Sequence, residues 1–210
     1  MHENNVLNTA GVKKTPAKVI NVLLVGVGGQ GTILAGRVLS RAALSLGGEV
    51  KVSDIHGMAQ RGGSVVTQVR FGPRVFAPVM APGTADFLVA FEKLEARRWL
   101  PYLRANGWLI VNDQELPPLP VLTGAATYPA DLVGEMGRLV QNTLVLDALD
   151  LARRAGNVKA VNMVLMGALA RRLPISQAAW DEAMANSVPV KFRDVNKKAF
   201  QLGWEEGSGK

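Results

Sequence analysis

The side chains best suited to chemistry lie in one short stretch, residues 53–63, with the sequence Ser-Asp-Ile-His-Gly-Met-Ala-Gln-Arg-Gly-Gly. The imidazole of His56 can exchange protons near neutral pH, and the guanidinium of Arg61 can hold a carboxylate or phosphate through two N–H groups. We therefore expect His56, Gln60 and Arg61 to be the catalytic side chains of a loop, residues 56–63, that we call the histidine loop. The residues expected to shape it are Asp54, Gly57, Gly62 and Gly63, since glycine allows sharp bends. The alternative is a structured loop that packs on a neighbouring subunit.

A second candidate site is the segment Gly-Val-Gly-Gly-Gln-Gly at residues 26–31, which we call the glycine corner. It matches the pattern G-x-G-x-x-G between an apolar strand and a helix, where glycines allow a tight turn and the close approach of a pyrophosphate. Asp54 stands roughly where a ribose-binding acid would follow the second strand. Gln30 is expected to reach out of the turn toward a ligand or a partner. The candidate cofactor-binding residues are Gly26, Gly28, Gly29, Gln30 and Gly31. Glycines that only shape a tight corner are the alternative.

These two loops need buried strands to hold them, and the hydrophobic pattern predicts such strands. A nearly continuous apolar run at residues 19–25 is typical of a strand buried on both faces, and apolar residues at helical spacing over 32–46 predict the helix that follows. A second strand at 49–54 completes a βαβ unit, whose two strands are expected to pair in parallel. Further strands are predicted at 64–71, 87–91 and 108–111, a helix at 92–105, and an extended loop at 117–120.

The last third of the chain is predicted to be mainly helical. The expected helices span 144–155 and 158–173, then a segment with Ser176 as N-cap that runs to 185, and a final helix that follows Pro189 and closes near Gly203. Together the elements predict one α/β domain of three α/β/α layers, Rossmann-like, with a mostly parallel sheet and a helical C-terminal section. We expect a flexible N-terminal arm at 1–18, this single domain at 19–204 and a C-terminal tail at 205–210.

Composition excludes several classes of site. The 210 residues include no cysteine, which rules out disulfides and iron–sulfur clusters held by thiolates, and only two histidines, so that no metal site is expected. The net charge of +7 is spread in pairs over predicted helices and is not interleaved with aromatic residues, a pattern that does not favour nucleic-acid binding. No apolar run reaches the roughly 18–20 residues of a membrane span. We expect a cytoplasmic protein that binds neither nucleic acid nor a membrane.

The glycine corner and the histidine loop, in this order and at this separation, resemble the gamma-type domain of 2-oxoacid:ferredoxin oxidoreductases. The resemblance covers about residues 19–204, and it is nearest to the small (beta) subunits of the indolepyruvate branch of that family. The occurrence of both loops together is far more specific for this family than either loop alone. Further agreement comes from Val-Arg-Phe-Gly at 69–72, Glu-Lys-Leu-Glu-Ala-Arg at 92–97, and Asn162 with Leu-Met-Gly-Ala at 165–168.

The resemblance implies a subunit of an enzyme that oxidatively decarboxylates a 2-oxo acid, an arylpyruvate such as indolepyruvate, to an acyl-coenzyme A and reduces ferredoxin. It places thiamine diphosphate, magnesium and iron–sulfur clusters in a large partner subunit, with coenzyme A as co-substrate and no cofactor held tightly by this chain. The chain agrees with that division, since it has no cysteine and no Gly-Asp-Gly thiamine signature. Two alternatives stay open: a stand-alone oxidoreductase that binds NAD(P) or FAD at the glycine corner, and a non-catalytic assembly subunit.

Overall fold

The computed structural model describes residues 15–57 and 63–208, which form a six-stranded sheet covered by helices. Residues 1–14 of the predicted arm lie outside the described residues. The strands are β1 Ile20–Val27, β2 Glu49–His56, β3 Ser64–Gly72, β4 Ala85–Ala90, β5 Leu103–Asn112 and β6 Thr143–Leu146. The helices are α1 Thr32–Leu44, α2 Lys93–Trp99, α3 Leu119–Leu122, α4 Leu132–Leu139, α5 Ala148–Ala155, α6 Val161–Ala170, α7 Gln177–Ala185 and α8 Arg193–Glu206.

The sheet has the order β2-β3-β1-β4-β5-β6 and is mostly parallel, as the sequence predicts. The strands β1, β4, β5 and β6 pair in parallel. The predicted parallel pairing of β1 with β2 is wrong, because β3 lies between them and pairs antiparallel with both. The reason lies in the side chains: β3 is buried along nearly its whole length, whereas β2 is more polar and largely exposed. The apolar strand therefore takes the inner position and the polar strand takes the edge.

Two hydrophobic cores lie on the two faces of the sheet and confirm the predicted three layers. Successive residues of a strand point to opposite faces. Accordingly, Leu24 of β1 packs among residues of α1, α5, α6, α7 and α8. Its neighbour Leu23 packs on the other face with Ala96 of α2 and Met136 of α4. The helical C-terminal section is thus part of one layer, and its α6 is buried at every position.

The predicted helix at 92–105 is shorter in the structure, and the strand after it is longer. α2 ends at Trp99, and a single 3-10 turn, Leu100–Tyr102, leads into β5. Pro101 lies in that turn, and proline has no N–H group with which to continue a helix. Asn106 and Gly107, expected to end the helix, instead lie inside β5 at an irregularity of the β4–β5 pairing, where Asn106 adopts a φ of 60°.

Strand β6 and helix α4 are absent from the sequence prediction, and two other boundaries differ. Residues 143–146 form a strand that pairs with β5, and the helix predicted from 144 begins at Ala148. A four-residue apolar run fits a strand or a helix equally well, and the deciding signal is Asp147, whose carboxylate accepts a hydrogen bond from the N–H of Asp150 at 2.8 Å. Residues Leu119–Leu122 form one helical turn where an extended loop was expected.

The C-terminal helices otherwise follow the prediction. The side chain of Ser176 caps α7 by accepting from the N–H of Ala179 at 3.3 Å. The final helix α8 runs to Glu206, beyond the predicted end near Gly203 and into the predicted tail. No helix in the part of the chain that the structure describes is both long and apolar enough to cross a membrane.

The crossing of α6 and α8 gives a first prediction, since a Cβ atom at Gly203 would overlap the carbonyl oxygen of Val164. Gly203→Ala should lower the free energy of unfolding by about 1–3 kcal/mol, because a helix backbone cannot move aside as a side chain can. Gly137→Ala in α4 is the matched control, since a Cβ atom there has no neighbour within 4 Å, and it should be neutral or slightly stabilising. Urea denaturation of both variants measures this, and equal stabilities would contradict the packing described.

Candidate functional site

The glycine corner joins the carboxyl end of β1 to the first turn of α1. Gly29 and Gly31 adopt φ angles of 101° and 84°, values at which a side chain is strained, and Gly31 is the N-cap of α1. The first turn of α1 contains no acidic residue. The first N–H groups of a helix lack partners within the helix and carry a partial positive charge, so this end of α1 favours an anion.

Gln30 does not reach out of the turn, which corrects the expectation from the sequence. Its Oε1 accepts a hydrogen bond from the N–H of Val27 at 2.7 Å, and its Nε2 donates to the carbonyl oxygen of Phe91 at 2.9 Å. The side chain is half-buried and bridges the ends of β1 and β4. Gln30 therefore stabilises the corner and leaves ligand contacts to other groups.

Two amides that the sequence analysis missed extend this connection across the sheet. Asn112, fully buried at the end of β5, donates to the carbonyl oxygen of Phe91 and to Oε1 of Gln114, both at 3.0 Å. Its Oδ1 accepts from the N–H of Ala148, the first residue of α5. We call Gln30, Asn112 and Gln114 the amide network. The available signal was the run Asn-Asp-Gln directly after the apolar strand, at the edge where parallel sheets place their sites.

The structure brings the two described ends of the histidine loop onto the glycine corner. The N–H of Gly28 donates to the carbonyl oxygen of Gly63 at 2.8 Å. His56 pairs with Val65 across the β2–β3 ladder and, with Gly28, Thr32 and Ile33, lines an open cavity of about 410 Å³. His56 is exposed and Gly57 follows it, while Gln60, Arg61 and Gly62 lie outside the described residues. Of the predicted catalytic side chains, His56 thus meets the glycine corner.

Two contacts disfavour a dinucleotide site at the corner. The N–H of Gly28, the second glycine of the fingerprint, is bound to Gly63 and is not free for a pyrophosphate. Asp54 is separated from β1 by the whole of β3, and its Oδ1 accepts from the hydroxyl of Thr67 at 2.5 Å. Since a ribose-binding acid must end the strand beside the corner, Asp54 is placed instead to brace β2 on β3.

Beside the corner, two carboxylates at the start of α2 are buried. Glu92 is 1% exposed: one oxygen caps α2 by accepting from the N–H of Glu95, and the other accepts from the hydroxyl of Tyr128 at 2.6 Å. Burial, with the bond to Glu92, raises the pKa of Tyr128 far above its usual value. Arg97, on the same helix, forms a surface ion pair with Glu135 at 2.7 Å. The sequence signal for this cap is a Glu that directly follows an apolar strand, with a second Glu three residues later, as in a capping box.

Within residues 15–57 and 63–208, no group of three or more His, Asp or Glu side chains is placed to hold a metal ion. Asn162 is 2% exposed and lies against the corner, with its Nδ2 at 3.4 Å from the carbonyl oxygen of Gly31. The described site therefore consists of backbone N–H groups, glycines held by amides, and one imidazole. It can bind an anionic group and offer a hydrogen bond or a proton.

A model of the pyruvate ferredoxin/flavodoxin oxidoreductase family matches residues 21–206. The chain belongs to this family. It is 41% identical over 193 residues to indolepyruvate oxidoreductase subunit IorB of Thermococcus kodakarensis, and 42% identical over 193 residues to the protein of that name from Pyrococcus horikoshii. Each alignment covers 89% of this chain and 95% of the relative.

A solved structure leads to the same family. The gamma subunit of a keto/oxoacid ferredoxin oxidoreductase from Geobacter sulfurreducens is similar with a TM-score of 0.67 and 25% identity, over 90% of this chain and 98% of that chain. The chain is thus one subunit of a multi-subunit oxidoreductase, and the family resemblance and the fold class stated from the sequence are confirmed.

The glycine corner gives a second prediction, based on the space around two of its glycines. A Cβ atom at Gly31 would lie 2.7 Å from Nδ2 of Asn162, whereas one at Gly29 would have no neighbour within 4 Å. Gly29→Ala should therefore cost only the backbone strain, about 1–2 kcal/mol. Gly31→Ala should cost about 1–3 kcal/mol more, because Asn162 must move as well. Urea denaturation of the two variants measures the difference, and a Gly29→Ala protein that is the less stable would contradict this geometry.

Proposed function

We propose that this chain is the small subunit of a 2-oxoacid:ferredoxin oxidoreductase that acts on indolepyruvate or a related arylpyruvate. The reaction would decarboxylate the 2-oxo acid, transfer the acyl group to coenzyme A and deliver two electrons to ferredoxin. The observation that carries the proposal is the similarity along nearly the full length of two relatives named as indolepyruvate oxidoreductase subunits. The meeting of the histidine loop with the glycine corner supports it.

The residues of this chain do not fit the redox cofactors of such a reaction. Iron–sulfur clusters are held by thiolates, and the sequence contains no cysteine. The sequence also lacks Gly-Asp-Gly, with which the thiamine signature begins. We therefore assign thiamine diphosphate, magnesium and the clusters to a large partner subunit, which would also pass the electrons to ferredoxin.

The role of this chain in the reaction would be to bind and orient an anionic group of the substrate or of coenzyme A. The first turn of α1 offers backbone N–H groups to an anion, such as a substrate carboxylate or a phosphate of coenzyme A. His56, at the rim of the same cavity, can donate or accept a hydrogen bond. Arg61 and Gln60, close to His56 in sequence, would complete an anion site through charge-assisted bonds.

The proposal is tested by purifying the tagged chain from its native cells and assaying the eluate. A large, cysteine-rich partner that contains thiamine should co-elute, and the complex should reduce a viologen dye when both arylpyruvate and coenzyme A are present. Comparing arylpyruvates with pyruvate and 2-oxoglutarate at equal concentration tests the substrate class. A chain that elutes without a partner and gains thermal stability with NAD(P) would contradict the proposal.

A third prediction concerns the histidine loop in that complex. Arg61→Ala should lower kcat/KM about ten- to a hundredfold, because a charge-assisted contact is lost, and His56→Ala about two- to tenfold, because a neutral hydrogen bond is weaker. Arg61→Lys keeps the charge but not the two-pronged geometry, and should fall between the wild type and Arg61→Ala.

The matched control is Arg154→Ala, a basic residue on α5, far along the chain from the loop, which should leave kcat/KM unchanged. If Arg61→Ala and His56→Ala behave like this control while the complex stays assembled, the histidine loop has no part in the reaction beyond structure.

A further inference from the structure

A buried carboxylate connects α2 to the residue that directly follows the histidine loop. Glu95 is 3% exposed, and its Oε2 accepts a hydrogen bond from the hydroxyl of Ser64 at 2.5 Å. Its other oxygen forms an ion pair with Arg98, one turn further along the same helix. In a capping box the third-position carboxylate turns back to the start of its own helix. The carboxylate of Glu95 instead extends to a different element, strand β3, and contacts its first residue.

Ser64 lies between the two residues that connect β3 to the glycine corner and to His56. It is the first residue of β3 and pairs with Val27, the last residue of β1. The residue before it, Gly63, accepts the hydrogen bond from the N–H of Gly28, and the residue after it, Val65, pairs with His56. A displacement of Ser64 would therefore move the glycine corner contact and His56 together.

The hydrogen bond between Ser64 and Glu95 is strong enough to influence where Ser64 lies. A carboxylate removed from water needs hydrogen-bond partners, since burial without them costs several kcal/mol. Arg98 is half-exposed, so water weakens its attraction to Glu95, whereas Ser64 and its bond to Glu95 are partly buried. The hydroxyl of Ser64 thus offsets part of the cost of burying Glu95, and Glu95 in turn fixes where β3 begins.

We propose that Ser64 and Glu95 are positioning residues that hold the carbonyl group of Gly63 against the glycine corner and keep His56 at the cavity. This inference deepens the proposed function and rests on it for the effect on the reaction, whereas the effect on the corner can be measured without any activity.

The experiment compares Ser64→Ala, Ser64→Thr and Glu95→Gln in the assembled complex by hydrogen exchange of the peptide that covers the glycine corner. Ser64→Ala should speed exchange of the Gly28 amide about ten- to a hundredfold, as expected for loss of a bond to a charged group. Ser64→Thr keeps the hydroxyl and should restore slow exchange. Glu95→Gln keeps an acceptor oxygen without the charge and should fall between them. Arg97→Gln, which breaks a surface ion pair of the same helix, is the control and should change nothing.

The same variants are then assayed for arylpyruvate-dependent dye reduction. Ser64→Ala should lower kcat/KM about tenfold, in the range of one lost hydrogen bond, and Ser64→Thr should restore it. Unchanged exchange at Gly28 in Ser64→Ala overturns the inference, and so does faster exchange with full activity. A wild-type complex without arylpyruvate activity overturns the proposed function instead, and the exchange rates still decide whether Ser64 and Glu95 hold the corner.

Discussion

β3 runs antiparallel between β1 and β2, and this pairing places His56 and Gly63 beside the glycine corner. Because β3 begins opposite the end of β1, Gly63 comes within hydrogen-bond distance of Gly28, and the histidine loop starts and ends at the glycine corner. Had β2 paired directly with β1, as in a dinucleotide-binding unit, Asp54 would end the strand beside the corner. Because β3 lies between β1 and β2, the side chain near the glycines is the imidazole of His56 and not the carboxylate of Asp54.

The buried polar groups at this edge of the sheet are each given partners by a different element. Gln30 bridges the ends of β1 and β4, Asn112 joins β5 to the start of α5, and Glu92 joins α2 to Tyr128. Partly satisfied networks are costly in a low-dielectric interior, whereas satisfied ones fix one arrangement. Gln30 thus holds the corner to the end of β4 before any ligand binds, and Asn112 and Glu92 fix the neighbouring strand and helix ends.

The fold class and the turn at the glycine corner could be predicted from sequence, because they depend on local patterns. Apolar runs marked β1 and β4, and glycines marked the corner between β1 and α1. The partner of each strand could not be read in this way: β3 next to β1 follows from burial across the whole sheet. The inward direction of Gln30 was equally hidden, since its partners, Val27 and the distant Phe91, are set by the fold. The bond of Glu95 to Ser64 was hidden in the same way, since the two residues are 31 positions apart in sequence.

The exposure of His56 bears on why this chain works as a subunit. The imidazole lies at the end of an edge strand, on the rim of a cavity that is open to water. Hydrogen bonds and proton transfers are most effective where water is excluded and the local dielectric is low. If His56 takes part in the reaction, another surface must cover it. Since the chain belongs to a family of multi-subunit enzymes, the large partner subunit of the proposed complex would supply that surface. The two described anchors of the histidine loop would then define where the two chains meet.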